Sequence, residues 1–577
     1  MRFSVWAPDA RQVDLVLTDR REPMELIEDG WWSIAVPDAE GAIDYRFALD
    51  SGEPLPDPRS PWQPQGVEGP SRTVDHTRYR WSDQDFTAPA FDHWIIYELH
   101  IGTFTPEGTF DATIEKLDHL TGLGVTAVEI LPVNEFSGDR GWGYDGVDLY
   151  APHHSYGGPD ALKRFVDACH RKGLAVILDV VYNHFGPAGN YLPRFGPYFT
   201  DAYSTPWGEA VNFDSPESAE VRRFFIDNAM MWLRDYHFDA LRLDAVHAIL
   251  DTGAKHFLEE LAEEVERLAL SLNRPLRLIA ESDLNDPQVV RERDRYGYGM
   301  DAQWSDDFHH ALHSLLTGES NGYYSDFGQM KHLATALERA FVYAGEFSEH
   351  RRRPHGREPS GIPGNRFLAY AQNHDQIGNR ATGDRLSMLV DDDRLKIAAA
   401  LVLTAPFLPM LFQGEEWGAT TPFQYFTDHH DPELGKAVSE GRRSEFAAFG
   451  WEPADVPDPQ DVETFRRSKL NWSEITQQRH TDLHAWHKKL IELRLGTLDL
   501  LDGDLTSVVV TYSEEERWLV LERGGITVTC NLASERRLVG IAPERRSRLL
   551  VTSGPTPAAE GDAVRLPALS VAIYSHG

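Results

Sequence analysis

Cysteine is nearly absent from this chain. Two residues in 577, Cys169 and Cys530, exclude a disulfide framework. No metal-ligand spacing joins them, and two reduced thiols fit a reducing compartment. Positive charge is scarce as well: 56 Lys and Arg stand against 91 Asp and Glu, a formal charge of −35. Such a surface repels nucleic acid and anionic membranes, so neither is an expected partner, whereas a neutral polymer is indifferent to it. No run of about 20 apolar residues is present to span a bilayer. The start, Met1-Arg-Phe-Ser-Val-Trp, has no basic segment followed by an apolar one, and a cytoplasmic location is the expectation. Internal repeats and low-complexity tracts are missing too. What remains is an ordinary globular composition, 41% hydrophobic, in a chain too long for one compact domain.

The rhythm of the sequence changes twice. Up to residue 88 it alternates and turns often, as an antiparallel sheet does. Phe3 and Val5, then Val13, Leu15 and Leu17, stand at period two, and Trp31–Val36 and Tyr45–Leu49 continue the pattern. A proline-rich stretch from Pro54 to Pro70 reads as a linker or wrapping loop. From His93 short apolar runs alternate with helical patterns, the βα repeat of a parallel sheet. Eight strands are expected: 94–98, 127–131, 175–179, 239–243, 276–280, 301–304, 367–371 and 408–412. Helical patterns at 160–170 and 257–265 lie between them. This predicts an α/β fold, a (β/α)8 TIM barrel over 89–494 with insertions at 183–214 and 306–366. A helix at 483–494 closes it. Strands return at 507–511, 517–521 and 527–530, with Gly524-Gly525 as a hairpin turn. The predicted architecture is therefore a barrel flanked by an N-terminal β-sandwich (1–88) and a C-terminal β-sandwich (495–577).

Four predicted strands end in charged or polar residues: Asp179-Val-Val-Tyr-Asn-His184, Leu241-Arg-Leu-Asp-Ala-Val-His247, Ile279-Ala-Glu-Ser-Asp283 and Ala371-Gln-Asn-His-Asp375. In such a barrel the active site lies at the carboxyl ends of the strands. Three of these segments place one carboxylate there: Asp244, Glu281 and Asp375. Glycosidic bond chemistry needs that arrangement, with several carboxylates converging on one sugar ring. Arg242, two residues before Asp244, projects from the same face of its strand. A guanidinium there keeps the neighbouring carboxyl ionised.

In order and spacing these segments resemble the signature regions of the α-amylase superfamily of glycoside hydrolases. The resemblance implies roles position by position. Asp244 matches the nucleophile, Glu281 the general acid/base and Asp375 the carboxylate that stabilises the transition state. Arg242 matches the conserved guanidinium, and His184 and His374 match histidines that bond the −1 glucose. A Trp-Gly-Tyr-Asp segment, 142–145, is similar to one in branching-type enzymes, making Tyr144 a stacking platform beneath that sugar and Asp145 a hydroxyl partner. The N-terminal segment resembles the sandwich of branching and isoamylase-type enzymes. In many α-amylases the residue matching Asn183 is a calcium ligand. The segment 183–214 is short for their calcium-binding domain, so no metal and no cofactor is expected.

Flanking segments narrow the resemblance. Asn183–Leu192, Tyr198–Thr200 with Thr205–Gly208, Asp239–Ile249, Ile279–Asp286 and Gln372–Arg380 are similar to those of maltooligosyltrehalose trehalohydrolases. That implies hydrolysis, with retention, of the α-1,4 bond beside the terminal trehalose of a maltooligosyltrehalose. It also implies a pathway link to a maltooligosyltrehalose synthase. Loops 183–214 and 346–356 are expected to build the pocket for the trehalose end, with Trp207, His247, Glu346, Phe347 and Gln376 as contacts. Arg351-Arg352-Arg353 reads as a solvated basic run. Two other readings fit the superfamily: a glucan-branching transglycosylase, and a non-catalytic glucan-binding subunit, against which the intact carboxylate set argues.

Overall fold

The computed structural model describes residues 1–37, 41–448 and 456–576. Its centre is a closed barrel of eight parallel strands: Ile96–Leu99, Ala127–Ile130, Ala175–Val180, Ala240–Leu243, Arg277–Ala280, Ala302–Trp304, Phe367–Ala369 and Leu408–Phe412. All eight fall where the apolar runs placed them. The first starts two residues late, because the Trp94 N–H closes a turn onto the Phe91 carbonyl instead of joining the sheet.

Side chains alternate across each strand, and the inward set changes character along the barrel axis. Ile96, Ala127, Ala175, Ile177, Ala240 and Ile279 fill the amino-terminal half with a dry, fully buried cluster. One pleat further on the same faces carry Glu98, Glu129, Asp179 and Arg242, all buried. Strand register sets Asp179 directly beside Arg242. The helices expected between strands form at Gly158–Arg171 and Phe257–Leu272, each burying one face. Gln478–Leu495 packs along the helix Asp392–Thr404.

Before the barrel, a three-stranded and a five-stranded antiparallel sheet face each other. Phe3, Val5, Val13, Leu15 and Phe47 lie buried in that core, as their period-two spacing predicts. Arg59 ties this module to the barrel through Asp227 at 2.8 Å. After the barrel come a second five-stranded sheet and a three-stranded one, packed over Val520, Val539, Val564 and Leu566. Gly524-Gly525 makes the two-residue hairpin between Trp518–Arg523 and Ile526–Asn531, with Gly524 at φ +51°. No helix among the described residues is long and apolar enough to cross a membrane.

The two expected excursions above the barrel are present. One carries the hairpin Phe199–Thr205 and Gly208–Val211; the other carries Asp306–Thr317, Met330–Arg339 and the short pair Phe347–Ser348 and Arg353–Pro354. A third follows the last barrel strand, before Gln478, and was not legible as an insertion.

Candidate active site

Strand closure brings the four polar strand ends into one cavity of about 650 Å³ at the carboxyl end of the barrel. Asp244, Glu281 and Asp375 all line it. Beneath them lies Arg242, fully buried, its guanidinium 4.1 Å from the Trp304 ring centroid. Its Nη1 donates to both oxygens of Asp179, at 2.8 and 2.7 Å, and to Asp244 Oδ1 at 3.1 Å. Nη2 lies 2.8 Å from Glu281 Oε2, an ion contact without hydrogen-bond alignment. One cation thus organises three carboxylates.

The backbone helps to aim them. Ala245, just after Asp244, takes a left-handed conformation, φ +39° and ψ +53°. L-residues adopt this at a cost of order 1 kcal/mol, and such strain collects at functional sites. Here it turns the Ala245 N–H onto Glu281 Oε2 at 2.9 Å. Asn183 donates from Nδ2 to the Asp244 carbonyl and to Oδ2, both at 2.8 Å, and its Oδ1 meets His184 Nδ1. Asn373 caps the helical turn His374–Gly378, accepting from the N–H groups of Asp375 and Gln376.

The two central carboxyls are pushed in opposite directions. Burial would raise the Asp244 carboxyl, but Arg242, His184 and the Asn183 amide together hold it below the usual range. Burial raises Glu281 well above the ordinary glutamate value, and Asp244, Asp375 and Asp306 add to that against the pull of Arg242. One carboxyl held down beside one pushed up is the division of labour that two-carboxylate glycoside chemistry requires.

The expected sugar-binding residues are distributed unevenly. Tyr144, Asp145, His184, Trp207, His247, His374 and Gln376 all line the cavity. Tyr144 donates from its hydroxyl to Asp179 Oδ2 at 2.6 Å, accepts from His374 Nε2 at 2.7 Å, and stacks on the His374 ring. His374 Nδ1 donates to Glu98 Oε1 at 2.5 Å. Burial opposes its protonation, yet Glu98 raises its pKa to about 9. Trp207 stacks on His184 with ring centroids 4.8 Å apart.

Glu346 and Phe347 are not among the residues that line this cavity. Glu346 is held by the Arg339 guanidinium and the Ala344 N–H, and Phe347 is 54% exposed in a two-residue strand facing Pro354. Their loop does reach the cavity, through His350 and Arg351. Arg351 is therefore not simply a solvated charge, since it binds Asp283 Oδ2 at 3.1 Å. Sequence reasoning also missed Asp306, His310, Tyr323, Asn379 and Tyr425, which complete the lining. Asp306 opens the helix after the sixth barrel strand, a position the strand-end rule covers; the others have no such signal. Burial, with Asp283 and Asp375 nearby, raises Asp306 to about 7 despite its bond from Tyr370.

A closed (β/α)8 barrel with an arginine-organised carboxylate set at its carboxyl end defines a glycoside hydrolase of the α-amylase class. Residues 74–196 match the alpha amylase catalytic domain, 1–62 match carbohydrate-binding module 48, described as the isoamylase N-terminal domain, and 503–573 match a C-terminal domain of unknown function. Malto-oligosyltrehalose trehalohydrolase of Arthrobacter ramosus is 53% identical over 537 residues, 92% of each chain. That of Rhizobium sp. (strain M-11) is 49% identical, over 99% of this chain and 97% of its own. A Salmonella typhimurium protein assigned to the alpha amylases, solved at 1.4 Å, superposes with a TM-score of 0.92 at 39% identity, covering 100% of this chain and 97% of its own. The chain belongs to the malto-oligosyltrehalose trehalohydrolase family and is a glycosidase.

Proposed function

We propose that this enzyme hydrolyses the α-1,4 bond next to the terminal trehalose of maltooligosyltrehalose, releasing trehalose and a shortened maltooligosaccharide. In this reading Asp244 attacks the anomeric carbon and forms a covalent glycosyl-enzyme. Glu281 protonates the departing glycosidic oxygen, then deprotonates the incoming water. Asp375 stabilises the oxocarbenium-like charge. The observation that carries these roles is the single Arg242 guanidinium touching both Asp244 and Glu281, with the first carboxyl lowered and the second raised. A shared guanidinium supports the close carboxyl spacing, about 5–5.5 Å, of a retaining mechanism.

Tyr144, Asp145, His184 and His374 hold the −1 glucose. Trp207, His247 and Gln376 face the trehalose end. A synthase that forms the trehalose linkage at the reducing end of a maltooligosaccharide would supply the substrate. Both cysteines are buried and free, which supports a cytoplasmic setting.

Product analysis tests the reading. Incubation with maltooligosyltrehalose should yield trehalose in preference to any product from amylose; new α-1,6 branches, or no product, overturn it. Asp244→Ala should lose at least about a thousandfold in kcat while still binding substrate. Near-normal turnover would remove the nucleophile assignment.

A further inference from the structure

Below the loop that carries Tyr144 lies a cluster with no part in this chemistry. Glu135 ends the two-residue strand Asn134–Glu135, which pairs antiparallel with Asp148–Pro152. His153 and His154 follow that second strand directly. One ligand atom from each of Glu135, His153 and His154 can be chosen so that all lie within 4.8 Å of one another.

Glu135 Oε1 is 2.6 Å from His154 Nδ1 and 3.1 Å from His153 Nδ1. Glu135 and His153 are fully buried, and His154 is 24% exposed. Neither ring nitrogen of His153 has a hydrogen-bond partner. A buried imidazole left so costs about 1–3 kcal/mol. Its Nδ1 faces the carboxylate without bonding alignment, so a group able to accept its lone pair would complete the site.

We propose that Glu135, His153 and His154 form a binding site for one divalent transition-metal ion of the zinc class. Two imidazoles and a carboxylate are a donor set that suits such ions, and hard cations such as calcium prefer oxygen alone. With bonds of about 2.0–2.1 Å, tetrahedral ligand atoms stand about 3.3 Å apart. The observed 2.6 and 3.1 Å spacings need to open by less than 1 Å.

Surrounding groups fit the same reading. Asp139 Oδ1 sits 3.1 Å from His154 Nε2, the carboxylate placement that orients a metal-bound histidine, and at 78% exposure it leaves a path to solvent. The His154 N–H holds Glu135 Oε2 at 2.9 Å. Buried Asp148 lies opposite Glu135 in the strand pair, and burial together with Glu135 raises its pKa well above the ordinary carboxylate range.

The location gives the ion a structural task. Glu135 and His153-His154 bracket the segment that carries Trp142, Tyr144 and Asp145 into the cavity. An ion there would clamp the neck of that loop.

The test uses the full chain, stripped with chelator and titrated with Zn²⁺ and, for its spectrum, Co²⁺. One ion should bind per chain, the thermal midpoint should rise by about 2 °C or more, and the Co²⁺ spectrum should report nitrogen ligands. His154→Ala, at the partly exposed position, should weaken binding at least tenfold, and Asp139→Ala should weaken it less. No stoichiometric Zn²⁺ or Co²⁺ binding by the stripped wild type overturns the proposal. So does a Co²⁺ spectrum of oxygen ligands only, or unchanged Zn²⁺ affinity in a folded His154→Ala protein.

Discussion

Arg242 is the group on which the site's electrostatics turn, and replacing it by methionine should move the pH profile as well as the rate. Its fully buried Nη1 stands 3.1 Å from Asp244 Oδ1, whose side chain is only 12% exposed, toward the cavity. At an effective dielectric of about 20, unit charges at that distance attract by about 5 kcal/mol. Asp179 and Glu281 share the same guanidinium, so only part of this falls on Asp244. As the proposed nucleophile Asp244 must be ionised to react, and its folded pKa is depressed, so the acid limb of kcat/KM should lie below the ordinary carboxylate range. In Arg242→Met that limb should move to higher pH, because the largest influence holding the Asp244 carboxyl down is gone. Leaving three buried carboxylates without their cation should also cost about 3–5 kcal/mol and lower the thermal midpoint. Arg242→Lys keeps the charge but not the fork, and should fall between the two. The assay is trehalose release from maltooligosyltrehalose between about pH 4 and 8, with circular dichroism to confirm the fold. A folded Arg242→Met protein whose acid limb coincides with that of the wild type would refute the reasoning.

As the proposed general acid Glu281 must carry a proton to act, so its raised pKa should set the alkaline limb; Asp306→Asn removes one of the charges that raise it, and that limb should move to lower pH while the acid limb stays. An alkaline limb that rises or does not move counts against Glu281 as the acid. His374 is held protonated by Glu98, with its pKa raised to about 9 from 6.5. The stability this contributes is fully present below about pH 6.5 and lost as pH rises through about 9, on the order of 3 kcal/mol in all. The thermal midpoint of the wild type should decline across that window, and Glu98→Gln should flatten the decline; an equal slope in both proteins removes the ion pair from the account. Trp207→Ala should reduce the ratio of kcat/KM for trehalose-ended over plain maltooligosaccharide, whereas Phe347→Ala and Glu346→Ala should leave it within about twofold, since neither side chain lines the cavity. The reverse pattern would place the trehalose end elsewhere.

Period two made the barrel legible, and with it the deepest layer of the site. Asp179, Arg242 and Asp244 share a face because they sit at even spacings on neighbouring strands, and closing the sheet is enough to make them meet. The same rule applies to Glu98, but a glutamate inside Ile96-Tyr-Glu-Leu99 reads only as part of a strand until His374 arrives from the end of the seventh strand, two places round the barrel. Where no periodicity operates, residue type alone does not say which side chains meet the cavity. Glu346, Phe347 and Arg351 belong to one loop, and composition favoured the first two as contacts. Backbone direction decided otherwise: the two-residue pairing of Phe347 with Pro354 and Ser348 with Arg353 fixes the turn that sends His350 and Arg351 to the cavity. A single-residue slip in so short a pair would reverse which side chains face inward, and nothing in composition records that choice. Glu135, His153 and His154 show the same limit in another form. Their donor chemistry is written in the sequence, but only an antiparallel pairing across the Tyr144 loop makes it a cluster. The carboxylate machinery was therefore readable because regular strands carry it. The cavity contacts of the 346–356 loop and the proposed ion site were not, because irregular turns build both.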